Sequence, residues 1–203
     1  YDFLEYDSLL LTDEEMKGAK DIKALPKSKL DLSGSWRVKE CSGNILTLDK
    51  CDYYFDGELQ EKDGYVLNIQ SRACDLKSPV HIRQVYKVNV KSVPDEVFLA
   101  CETPERFKIT VNGREVEIKD CGFLRDRSFR KLDISGLLNS GENEIAFKCD
   151  FSQPDEVYAN IEKSKIFESE KNKLTYDIEI EPVYLSGSFS VYAEDNFTKL
   201  DRN

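Results

Sequence analysis

Histidine, methionine and tryptophan occur once each in this 203-residue chain. A lone His81 has no second imidazole with which to share a metal ion, so we read it as structural, a partner to a carboxylate. The signatures G-x-S-x-G, H-E-x-x-H, the Walker loop and G-x-G-x-x-G are all missing, which removes the usual sequence marks of acyl transfer, zinc hydrolysis and nucleotide binding. No apolar run approaches the roughly 18 residues of a membrane span. The longest, such as EVFLAC at 96–101, fits a buried strand. Positive charge is also short: 29 Lys and Arg stand against 39 Asp and Glu, a net charge of -10. That balance repels phosphate backbones, so neither nucleic acid nor a membrane is expected as a partner.

The six cysteines (Cys41, Cys51, Cys74, Cys101, Cys121 and Cys149) include no C-x-x-C pair, which disfavours zinc. Several sit inside strand patterns, Leu99-Ala100-Cys101 and Phe147-Lys148-Cys149 among them, where a free thiol behaves as a small hydrophobe. Reduced thiols and a cytoplasmic setting are expected, with a secreted, disulfide-bonded scaffold as the alternative. The sequon Asn196-Phe197-Thr198 would matter only in that second case. A start at Tyr1 with no leader pattern suggests a piece of a longer protein.

Residues 1–31 read as a lead-in, where Thr12 and Glu15 have the spacing of a helix-capping box and Pro26 ends the helix. From Leu32 the pattern changes to short strands with turn residues every 8 to 12 positions, the rhythm of a sandwich or barrel. Strands are expected at 34–38, 45–55, 64–69, 80–90, 96–102, 106–111, 114–118, 129–134, 143–151, 173–185 and 188–193. Within 80–90 the alternation slips near Gln84, which suggests a β-bulge. Asn112-Gly113 suits the tip of a tight hairpin. One helix is expected after Ser152-Gln153-Pro154, with Val157, Tyr158 and Ile161 as its apolar stripe. The charged segment 163–173 reads as a solvated loop. The fold class is therefore all-β, an antiparallel jelly-roll-like sandwich with one short helix, spanning 32–193 and followed by a tail at 194–203 that leads toward a further domain.

Four stretches in order, LSGSWRV (32–38), HIRQVYKVNV (81–90), FKITVNGREV (107–116) and DISGLLNSGENEIAF (133–147), carry a resemblance. Together they resemble the sugar-binding, galactose-binding-like domain of family 2 glycoside hydrolases and the related jelly-roll modules of large rhamnosidase-like hydrolases. Within the first of these stretches Trp36 offers a large apolar ring, and it is expected to be buried between the sheets. The resemblance implies that the catalytic glutamates lie in a separate (β/α)₈ barrel, for which this chain has no room. Catalytic residues, cofactors and metals are accordingly expected to be none. The leading reading is a non-catalytic accessory domain of a multidomain glycoside hydrolase, its partners being neighbouring domains of the parent chain and, where it binds one, a carbohydrate. The alternative is an autonomous carbohydrate-binding module, and an enzyme in its own right ranks third.

The segment most suited to ligand or interdomain contact runs from Phe123 to Phe129. There Arg125, Asp126 and Arg127 crowd a loop, and arginine forks with a carboxylate can bind vicinal hydroxyls or a partner's acids. The competing reading is an exposed, salt-bridged loop.

Overall fold

The computed structural model describes residues 31, 33–37, 42–194 and 197–202, with side chains described as far as residue 192. The expected capping box at Thr12, Cys41 and the sequon's Asn196 lie outside these. The chain divides into two units, Tyr1–Glu40 and Cys41–Asn203. In the first, Ser33 N donates to Asp31 Oδ1 over 2.8 Å, residues 33–37 form no strand, and Trp36 is 72% exposed. The strand at 34–38 and the burial of Trp36 were both expected and neither holds. The aromatic filling of the second unit comes instead from Tyr53, Tyr86, Phe147, Phe151 and Phe189, all fully buried. Strand alternation already gives the sandwich large rings enough to close its core.

That second unit is mostly β and its two sheets share one core. The first sheet has five strands in the order β1 (Asn44–Leu48), β11 (Val183–Gly187), β5 (Val97–Cys101), β9 (Asp126–Asp133) and β8 (Phe123–Leu124), every neighbouring pair antiparallel. The second has eight. Its main path is β12 (Phe189–Glu194), β13 (Phe197–Arg202), β4 (Val80–Val90), β10 (Gly141–Phe151), β6 (Lys108–Val111) and β7 (Arg114–Glu115). β2 (Lys50–Phe55) joins β4 beside this path and carries β3 (Glu58–Tyr65) at its edge. All these pairs are antiparallel apart from a short parallel contact of β13 with β4.

The long strand β4 presents Val80, Ile82, Gln84, Tyr86, Val88 and Val90 to the core, each 4% exposed or less. Its register with β10 runs unbroken from Val80↔Phe151 to Val90↔Gly141, so the bulge expected near Gln84 is absent. Gln84 itself faces inward, where its Nε2 donates to Tyr86 Oη over 2.9 Å, and Val85 faces outward beside Asp52 and Ala146. Val85 is itself only 3% exposed, so a polar residue in the core and a covered apolar one on the opposite face imitate a slip in hydrophobic pattern without any extra residue.

Two more expectations need correction. The single strand at 45–55 is two strands, because at Asp49 the chain leaves one sheet for the other. Residues 64–69 hold only the end of β3, after which Leu67–Asp75 forms helix α1 with Ile69, Ala73 and Cys74 buried. That spacing is helical, and it overrides the short apolar run before it. Tyr53, Glu61 and Arg72 tie α1 to β2 and β3: Tyr53 Oη donates to Glu61 Oε2 over 3.2 Å, Arg72 pairs with Glu61 at 2.9 Å, and Arg72 also bonds Tyr53 Oη. The one helix expected within the β pattern is present as α2 (Asp155–Ile166), with Pro154 at its N-cap, so the domain has two helices where one was expected.

Residues 174–182 were expected as strand, yet only Val183 onward joins a ladder. The segment is held by side chains instead. Gln153 Nε2 donates to Ile178 O over 2.7 Å, its Oε1 accepts from Asp177 N over 2.9 Å, and Gln70 Oε1 accepts from Ile180 N over 2.8 Å. Ile178 and Ile180 are thereby buried. No helix among the described residues is long and apolar enough to cross a membrane.

Candidate functional site

Asn112 and Gly113 form the β6–β7 turn with φ of 52° and 76°, the paired positive values a two-residue hairpin needs. Asn112 does more than turn the chain. Its Nδ2 donates to Leu137 O (2.9 Å) and to Asn143 Oδ1 (2.8 Å), while its Oδ1 accepts from Glu144 N (3.0 Å). Arg114 Nη2 reaches the same Leu137 carbonyl at 2.7 Å. Asn143, 3% exposed, also accepts from Asn139 N (2.7 Å) and donates to Asn139 O (2.8 Å) and Gly141 O (2.9 Å). Two of the stretches that carry the resemblance, 107–116 and 133–147, are thus bonded to each other through these amides.

His81 is paired as expected: Nδ1 lies 2.8 Å from Asp150 Oδ1, and since an ionised carboxylate only accepts, Nδ1 carries the hydrogen. The five described cysteines, Cys51, Cys74, Cys101, Cys121 and Cys149, are all free thiols. Burial pushes the thiols of Cys51, Cys101 and Cys149 up to about 12, which leaves them unreactive at neutral pH. Glu181 is the acid displaced upward, first by burial and then by the charges of Glu179 and Glu102.

The segment singled out for contact is the β8–β9 hairpin. Phe123 pairs with Arg130 and is 52% exposed. Arg125 makes the turn at φ 62°, a left-handed conformation that costs an arginine strain a glycine would avoid. Asp126 folds back on its own strand, accepting from Ser128 N (2.8 Å) and Oγ (3.0 Å), and these bonds hold its carboxyl below the usual range. Arg127 is exposed.

Arg125 lines a groove of about 300 Å³ at the end of the five-stranded sheet, and it also borders the wider opening beside it. The other walls come from the starts and ends of distant strands: Ser42 and Asn44 before and within β1, Ser186 and Ser188 at the end of β11, and Lys131 on β9. Gly43 and Gly187 bring these strands together. A Cβ on Gly43 would lie 2.8 Å from Gly187 O, and one on Gly187 would lie 2.5 Å from Glu96 O. Sequence reasoning found Arg125 by its crowded charges but not the serines, whose meeting depends on sheet order.

No protein-family model matches the chain. No curated protein matches it either. Among solved structures the chain is similar to the β-D-mannosidase from Dictyoglomus thermophilum, at 15% identity and a TM-score of 0.39. The match covers 73% of this chain and spans 23% of that enzyme, a distant likeness to one region of a glycoside hydrolase.

Proposed function

We propose that this chain is a non-catalytic accessory domain of a multidomain glycoside hydrolase, packing beside a catalytic domain and contributing to its substrate entrance. The observation that carries the reading is the placement of the resembling stretches. HIRQVYKVNV lies in β4, FKITVNGREV covers β6 and β7, and DISGLLNSGENEIAF runs from the end of β9 into β10. β4, β10, β6 and β7 are consecutive neighbours in one sheet, and the amides of Asn112 and Asn143 lock two of the stretches together. Residues that share a resemblance and also share a structural unit point to a common architecture, with any chemistry residing elsewhere. A cytoplasmic setting accompanies this reading, supported by the free state of the described cysteines.

The test is turnover. The purified chain is expected to release nothing from a panel of aryl glycosides. Sustained release abolished by one Asp or Glu substitution would overturn the accessory role.

An autonomous carbohydrate-binding module is the second reading, and one observation favours it. On the outer face of the five-stranded sheet, Phe129 packs edge-on against Tyr184 at 5.3 Å between ring centroids, the type of aromatic surface on which a sugar ring stacks. A free-standing module must gain its affinity from its own surface, so neutral mono- or oligosaccharides would bind it at about 1 mM or tighter. The accessory reading expects no saturable binding of such neutral sugars.

A further inference from the structure

The register of the five-stranded sheet maps its outer face strand by strand. Leu46, Leu185, Leu99 and Leu132 lie opposite one another across four strands and face the core. Side chains alternate along a strand, so the rows on either side of these leucines face outward. One row is Thr47, Tyr184, Ala100 and Lys131, and the other is Ile45, Ser186, Phe98 and Asp133. Of these, only Lys131 and Asp133 are charged. Phe129 adds a third ring, packed against Tyr184. The outer face of the eight-stranded sheet is built differently, crossed by the ion pairs Asp52–Lys87 (2.6 Å), Arg83–Glu144 (3.0 Å), His81–Asp150 (2.8 Å) and Lys108–Glu115 (3.6 Å). A sheet face that stays in water normally reads like the latter.

The two outward rows are complementary to each other. Turning a second copy over, about an axis that runs across the strands between the rows, lays the first row of one copy on the second row of the other. Phe98 then falls on Ala100 of the other copy, Tyr184 on its Ser186, and Lys131 on its Asp133. Two-fold symmetry makes each contact twice. Large side chains meet small ones, as packed layers require, and the row's one cation meets the one anion. Lys131 holds its ammonium 3.8 Å from the centroid of the Phe98 ring, so it already stands over the row to which Asp133 belongs.

We infer that this face pairs two copies of the chain in a two-fold dimer, five-stranded sheet against five-stranded sheet. Sheets pack face to face about 10 Å apart with strands within about 30° of one another, a geometry open to two copies of one twisted sheet. The match between two rows of the same face selects a second copy over a saccharide or an unrelated domain, neither of which needs it. Strands about 4.8 Å apart, with five residues each in β1, β11 and β5, give a contact of about 15 by 17 Å. That is at the small, weak end of protein interfaces, so the dimer is a weak one. The pairing goes beyond the accessory role and does not rest on it.

The experiment is sedimentation equilibrium of the whole chain from about 10 µM to about 1 mM, with a dimer dissociation constant of about 50–500 µM expected. Phe98→Ser should weaken association at least tenfold. Lys131→Glu and Asp133→Lys should each do the same by setting like charges against each other, and circular dichroism checks that each variant keeps the β fold. Mixed in equal amounts, these two variants should associate again. In the mixed pair Lys131 of one chain meets Asp133 of the other, and the introduced lysine meets the introduced glutamate. Should Asp133→Lys lose its fold, Phe98→Ser and Lys131→Glu decide alone. A monomer at every concentration, association unchanged in the folded variants, or a folded mixture that associates no better than its parts would each overturn the inference. Each would leave the accessory role standing, because that role fails on turnover by the isolated chain.

Discussion

Asn112 and Asn143 join two turns that are far apart in sequence, the Nδ2 of the first donating to the Oδ1 of the second over 2.8 Å. Asn143 is buried, and its amide also serves Asn139 and Gly141, so replacing it leaves backbone groups of a tight loop without partners. Asn143→Ala should lower stability by about 3 kcal/mol, the scale of several orphaned buried groups. Urea unfolding would show this as a lower midpoint at unchanged slope. A midpoint within error of the parent would mean that the loop re-bonds to water at little cost.

Gln153 holds residues 174–182 in place of a β-ladder, with one bond on each side of its amide. Gln153→Leu keeps the bulk and removes both bonds, and should cost about 2 kcal/mol. Hydrogen exchange at Asp177 N should accelerate well before global unfolding. If exchange there stays coupled to global unfolding, the segment is held by the burial of Ile178 and Ile180 alone.

Two carboxyls should shape the acid limb in opposite directions. Burial alone would raise Asp52, but Lys87 Nζ at 2.6 Å and the Asp63 N–H at 2.9 Å outweigh it and leave its carboxyl below the ordinary 3.8. Its contribution is present above that value and disappears as pH falls through the lower, folded one. Asp52→Asn should therefore cost stability at pH 7 and lose that cost in strong acid. Glu181 has the opposite sign. Burial, then Glu179 and Glu102, raise it above the ordinary 4.5, so it opposes folding increasingly as pH rises from 4.5 to the folded value, and in full above that. Glu181→Gln should stabilise at pH 7 and be neutral below 4.5, as urea midpoints across the range would report. The same sign for both variants at pH 7 would refute this pairing.

Six thiols should titrate in denaturant without reductant. In the native state Cys51, Cys101 and Cys149 should stay silent, because burial keeps them protonated up to about pH 12. Cys121, half-buried, should react, and Cys121→Ser should remove one fast equivalent. Two or fewer thiols in denaturant would move the protein to a disulfide-bonded, secreted class.

Much of the fold was legible because its signals are local. Alternation gave β4, β5, β6 and β10, and Asn112-Gly113 gave the hairpin with the expected positive φ angles. Where the reading failed, the missing information was long-range. Nothing adjacent to Asp49 marks it as the place where one run of apolar residues is shared between two sheets. Gln84 breaks the apolar pattern because its partner is Tyr86, inside the core. Trp36 was placed in the core on the size of its apolar ring, and size does not by itself put a residue there. At the groove, Arg125 was visible as part of a charged cluster, but Ser186 is one serine among many until β11 is laid beside β1 and β5.

Strand β1 leads directly into β2, and β11 into β12, so the chain passes between the sheets at Asp49 and again at Ser188. β1 and β11 are themselves paired, Ile45 against Ser186. During synthesis, then, one border of the five-stranded sheet stays open until nearly the whole domain has been made. Folding of this sheet waits on its latest arrival, a long-range closure that favours slow, cooperative assembly. Until Val183–Gly187 emerges, the nascent chain exposes the bare flank of β5 to whatever strand reaches it first, which makes that flank the point at which misassembly would begin.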